Sequence, residues 1–179
     1  AGSVFISSAT MDPEIARVPG GTDQVTTYTY GTDTSGTNVS EVATGHLLSK
    51  VEYPDKADAT DVVSMLYTRQ GHVKRVTDQA GNIIAFDYDE AFRLAERQVT
   101  NFATDFDTSV KTIASSYNAL GQLQAVTQKD ASAAALNQVK FLYDGWGNVA
   151  KAQQDHDSAV GGTHLYEVAY AYAKAAVAG

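Results

Sequence analysis

A chain of 179 residues with 44% hydrophobic side chains is long enough to bury a core and too apolar to be disordered as its general state. Its formal net charge of -8, with 13 Lys and Arg scattered along the sequence, argues against nucleic acid, which requires clustered cations. The absence of cysteine excludes disulfides, thiolate metal sites and cysteine nucleophiles, and no apolar run has the length of a membrane-spanning helix.

In chain order, residues 1–23 contain Pro13, Pro19 and Gly20-Gly21 and read as an extended strap. The opening Ala1-Gly2-Ser3 has no initiator Met, which points to a processed, tagged or excised chain. Residues 24–61 read as a degenerate first repeat with an insertion: 26–30 alternates as a strand, 31–38 enlarges its turn, and Gly45-His46-Leu47 resumes the pattern. From 62 to 179 strand signals dominate. Val63, Met65 and Tyr67, then Ile84, Phe86 and Tyr88, then Val139, Phe141 and Tyr143 recur with period two. Ile113, Ser115 and Tyr117 repeat this more weakly, and Tyr166, Val168, Tyr170 and Tyr172 close the series. One sheet face is then an aromatic and aliphatic ladder, while Asp87, Lys140 and Glu167 lie on the other. Insertions at 101–110 and 130–137 lengthen the far-side loops, with 131–136 expected as one helical turn. The alanine-rich tail carries no signal.

Each of these strands ends in a recurring phrase. Tyr67, Tyr117 and Tyr143 are followed four residues later by Gly71, Gly121 and Gly147, and two residues beyond those by Val73, Leu123 and Val149. Tyr88 keeps the spacing to Leu94 but has Phe92 in the glycine slot. The tyrosines are 21, 29 and 26 residues apart, a period that marks a repeat architecture in which each unit covers its neighbour's apolar face. Glycine four residues after the tyrosine suits a tight hairpin turn that needs positive φ. Val76 and Val126 lie three residues beyond Val73 and Leu123, which predicts a bulge in the return strand. The Asp78 to Asn82 segment reads as the turn at the opposite end.

The phrase resembles the signature of the YD repeats, also called RHS repeats. Tyr143-Asp144 and Tyr88-Asp89 keep the name-giving pair, Tyr117-Asn118 is close, and Tyr67-Thr68 departs from it. Arg93-Leu94 matches the signature's arginine and leucine, and Val76-Thr77-Asp78 and Val126-Thr127-Gln128 its strand end. The resemblance covers residues 62–154 well and the flanks weakly. It implies an all-β fold, a spiralling antiparallel sheet of successive β-hairpins with about five units here. In polymorphic toxins, insecticidal toxin complexes and teneurins such repeats wind into a hollow shell. This array is too short to close one alone, so it is expected to be part of a larger shell or to meet other copies of itself.

The structural repeat residues are therefore Tyr67, Gly71, Tyr88, Tyr117, Gly121, Tyr143 and Gly147. The tyrosines are read as a core ladder in preference to a sugar-stacking platform. Trp146, in the turn Gly145-Trp146-Gly147, is the candidate ligand contact. Asp105 with Asp107, Asp155 with Asp157, and Asp55, Asp58 and Asp61 have the oxygens calcium prefers but match no recognised loop, and are read as solvated loop carboxylates. His46, His72, His156 and His164 lie at no metal-binding spacing and read as surface turn residues. No nucleophile elbow, zinc-protease motif or phosphate loop is present, and the aspartate self-cleavage motif of some shell-forming relatives has no counterpart after His164. The expectation is a non-enzymatic structural scaffold, extracellular or at the cell surface, without cofactor or metal. Its expected partners are itself, head to tail, or neighbouring repeats. The alternatives are a carbohydrate- or protein-binding module and a fragment of a self-processing toxin shell.

Overall fold

The computed structural model describes residues 26–54, 61–104, 106–161 and 164–172. The expected strap at 1–23, Asp55, Asp58, Asp105 and the end of the alanine-rich tail lie outside them. The described residues form eleven strands: β1 Thr27–Thr32, β2 Thr44–Glu52, β3 Val62–Tyr67, β4 Val73–Thr77, β5 Ile83–Tyr88, β6 Leu94–Asn101, β7 Thr112–Tyr117, β8 Leu123–Lys129, β9 Ala135–Tyr143, β10 Val149–Asp155 and β11 Leu165–Ala169. They are hydrogen-bonded in chain order as an antiparallel sheet. The fold is all-β, as the alternating pattern requires, and no helix occurs among the described residues.

The chain divides into two compact units, 26–87 with Val99–Phe106, and Tyr88–Gln98 with 107–172. In the first unit the apolar face follows the period-two pattern across the strands. Tyr28 stands opposite Val51, and Val51 opposite Val63. One row on, Met65 faces Val76 and Val76 faces Ile84. Val51 and Tyr67 are buried. The enlarged connection between β1 and β2 folds back over the end of β3. There the Tyr67 N–H donates to the Ser40 hydroxyl at 3.1 Å, and the Glu41 N–H donates to the Tyr67 carbonyl at 2.8 Å. Lys74 and Glu41 close the same corner with an ion pair at 2.5 Å.

In the second unit, Ser115, Val126, Val139, Gln154 and Tyr166 are successive neighbours on one face. On the other, Ser116, Ala125, Lys140, Gln153 and Glu167 line up in the same way. Glu167 accepts from Lys151 at 2.8 Å and from Gln153 at 2.7 Å, which pins β11 to β10 through polar side chains.

The expected bulges lie beside the anchoring tyrosines. Tyr67 pairs with Val73 while Leu66 pairs with Arg75, and Tyr117 pairs with Leu123 while Ser116 pairs with Ala125. The extra residue reverses the parity of the return strand, so that Val73 and Val76 both reach the apolar face. The expected helical turn is overturned. Residues 131–136 do not form a helical turn, because β9 already begins at Ala135. The Asp130 carboxylate accepts from the N–H groups of Ser132 and Ala134 and commits the segment to a hairpin turn. A few alanines cannot nucleate a helix against that competition.

Candidate functional site

Among the described residues six turns share one geometry. In each, the first residue's N–H donates to the carbonyl of the fifth, and its carbonyl accepts from the N–H of the fourth. In the β9–β10 turn, Asp144 N–H to Asn148 O is 2.9 Å and Gly147 N–H to Asp144 O is 3.1 Å. The fourth residue has positive φ throughout: Gly71 at 84°, Gly81 at 84°, Phe92 at 59°, Gly121 at 82°, Ala133 at 65° and Gly147 at 87°. This is a type I turn followed by a left-handed residue, a combination that matches strand twist. Phe92 thus adopts the conformation that glycine takes in the sister turns.

The residue after each anchoring tyrosine caps its turn. Asp144 Oδ1 accepts from the N–H groups of Trp146 and Asn148, both at 2.9 Å. Asp89 Oδ1 accepts from Ala91 at 2.9 Å and Arg93 at 3.0 Å, and Asn118 does the same through its amide oxygen. Thr68 supplies only a hydroxyl, to the His72 N–H. The Asn148 amide and the turn N–H groups hold the Asp144 carboxyl below the ordinary carboxylate value. Arg93 does so for Asp89, through a 2.6 Å ion pair and its own N–H.

The tyrosines tie one hairpin to the one before it. Tyr67 Oη donates to the Leu48 carbonyl at 2.6 Å, Tyr117 to Leu94 at 3.0 Å and Tyr143 to Leu123 at 2.6 Å. Tyr172 repeats the bond to Val149 at 3.0 Å. Burial pushes the Tyr67 and Tyr88 phenols up. Side chains just after the turns complete the link. The Arg93 guanidinium lies 4.2 Å over the Tyr117 ring, and Gln122 Nε2 donates to the Gly147 carbonyl at 3.0 Å. A Cβ at Gly121 would come within 3.2 Å of Arg93, and one at Gly147 within 3.1 Å of Gln122. Those two glycines therefore meet both a backbone and a packing demand.

Trp146 stands at its turn tip, 89% exposed. Leu120 and Phe92, which the sequence reading did not single out as contacts, are exposed at the two preceding tips on the same edge. The signal for them was a large apolar residue inside a polar turn. Among the histidines, His46 lies within β2 and not in a turn, because Gly45 is strand backbone without positive φ. His164 Nδ1 meets Asp157 at 2.8 Å, and His156 packs edge-on against Tyr166.

Asp155 is not a solvated loop carboxylate. It ends β10 fully buried, and the N–H groups of Asp157 and Ser158 hold its Oδ1 and keep the carboxyl below the ordinary value. Asp107 instead caps Ser109 at the surface. Among the described residues no three His, Asp or Glu side chains gather as metal ligands, and no helix is long and apolar enough to cross a membrane.

No protein-family model matches the chain, and no curated protein matches its sequence. Its fold is similar to part of a chain in a crystal structure of TcdB2-TccC3-TEV, with a TM-score of 0.54 and 15% identity over 83% of this chain. Structures of TcdB2-TccC3-Cdc42 and of TcdB2-TccC3 without its hypervariable C-terminal region align over 74% of this chain, at 17% and 21% identity and TM-scores of 0.27 and 0.25. The chain spans only 8% of the TcdB2-TccC3-TEV chain and 7% of the other two. At 15% identity the likeness to the TcdB2-TccC3-TEV chain is one of fold.

Proposed function

We propose that the chain is a non-enzymatic scaffold segment of an extracellular or surface YD-repeat shell, and that its β11 edge takes up a further strand. The observation that carries this reading is the state of β11. It pairs with β10 on one side, and Leu165, Tyr166, Val168, Tyr170 and Tyr172 around it are exposed. Tyr172 makes the same hydroxyl-to-carbonyl bond as the anchoring tyrosines, so β11 leads into the position that opens a hairpin in every preceding repeat. Among the described residues no element covers the outer side of β11, and an exposed, largely apolar edge strand is a pairing template. The covering strand comes from the next repeat of a longer chain or from another copy, as the likeness to part of a much longer chain suggests.

Sedimentation of the full chain over a concentration series tests this. Association that Val168→Lys suppresses, with the β-sheet spectrum intact, is the expected result. A chain that stays monomeric at every concentration, with β11 amides as protected from exchange as those of β10, would overturn it.

A further inference from the structure

Three consecutive hairpin tips of the second unit carry large exposed apolar side chains along one edge of the sheet. Phe92 in the β5–β6 turn is 50% exposed, Leu120 in the β7–β8 turn 83%, and Trp146 in the β9–β10 turn 89%. Neighbouring tips are tied together, the first two by Arg93 over Tyr117 and the second two by Gln122 on the Gly147 carbonyl. Tips two strands apart are roughly 10 Å apart at ordinary strand spacing, so the three form a row about 20 Å long. Phe92 holds its place in the row at φ 59°, a backbone conformation that four of the five sister turns give to glycine and one to Ala133.

The charges around the row decide what it fits. The same three turns carry Asp89, Glu90 and Asp144, and their one cation, Arg93, is engaged by Asp89 at 2.6 Å and by the Tyr117 ring. We propose that the Phe92, Leu120 and Trp146 row docks a partner polypeptide segment whose apolar side chains are flanked by Lys or Arg. Apolar contact supplies the anchor, and the turn carboxylates supply orientation and encounter rate. A second copy of this chain would bring the same carboxylates to the same row, and an anionic lipid surface would be repelled by them.

The test uses the full chain and its single tryptophan as reporter. A synthetic amphipathic peptide of Leu and Lys is titrated against it, beside the matching Leu and Glu peptide, phosphatidylglycerol vesicles and a soluble β-glucan oligosaccharide. The expected result is a saturable blue shift of Trp146 emission with the Leu/Lys peptide alone. Binding should weaken at least about tenfold in Leu120→Ser, and weaken further with added salt. Leu120 is at an exposed tip, so that variant keeps its fold, which an unchanged melting curve verifies. No shift with the Leu/Lys peptide, or equal affinity in Leu120→Ser, would overturn the proposal. So would a shift with vesicles or oligosaccharide only, which would make the row a lipid or sugar contact.

Discussion

The hydroxyl of Tyr143 donates to the main-chain carbonyl of Leu123 at 2.6 Å, so the last residue of β9 closes on the first residue of β8. Tyr117 treats Leu94 in the same way, and Tyr67 treats Leu48. The aromatic body lies on the apolar face while the hydroxyl satisfies a carbonyl beside the bulge, where the ladder is locally broken.

Tyr143→Phe keeps the ring and removes the donor. It should lower unfolding stability by about 1 kcal/mol, since the Leu123 carbonyl is left to find water at a half-buried place. Urea denaturation measures it. An unchanged midpoint with unchanged slope would show that the bond adds nothing over solvent.

Gly147→Ala and Phe92→Gly should move stability in opposite directions. The first puts a Cβ at φ 87° and 3.1 Å from Gln122 Nε2, and should cost about 1–2 kcal/mol. The second relieves the left-handed strain of Phe92 and should add roughly 0.5–1 kcal/mol, the gain being limited by glycine's larger unfolded-state entropy. Melting temperatures decide. A loss in Phe92→Gly would mean that the ring's contacts outweigh the backbone strain.

Acid should unfold the protein through its turn carboxylates. Asp89, Asp130, Asp144 and Asp155 all lie below their ordinary value of 3.8 when folded. Their contribution is therefore fully present above that value and is lost as the pH falls through the lower folded values. Denaturation midpoints should hold level down to about pH 5 as far as these groups are concerned, then drop below pH 4. Asp144→Asn keeps the capping oxygen, as Asn118 does in the preceding repeat, and should make the acid limb shallower. An acid limb identical to that of the parent chain would remove Asp144 from the explanation.

Trp146→Ala should change stability by no more than about 0.5 kcal/mol, because the indole is 89% exposed and its turn is held by backbone bonds to Asp144. In the parent chain, iodide should quench the tryptophan almost as freely as it quenches indole in water. A shielded fluorophore would show that Trp146 is packed and belongs to the fold.

Much of the β-hairpin repeat was legible from local chemistry. Period-two alternation located β3, β5, β7 and β9, glycine four residues after tyrosine located the turns, and the offset from Val73 to Val76 located a bulge. Each is a constraint between residues a few positions apart, so composition and spacing express it directly. Local preference also misled: the alanines after Asp130 suggested a helical turn, but one carboxylate with two N–H partners overrode them.

What the tertiary structure alone decided are relationships across twenty or more residues. Tyr143 meeting Leu123, the β1–β2 connection folding over Tyr67, and Asp155 buried at the end of β10 all depend on which strands lie side by side. The same holds for the apolar row. Phe92, Leu120 and Trp146 are 28 and 26 residues apart in sequence and become one surface only when antiparallel pairing brings alternate turns to the same edge. The sequence by itself determined the repeating hairpin, because turn geometry and side-chain alternation act within a few residues. Pairing of whole strands determined the contacts between repeats and the surface they display.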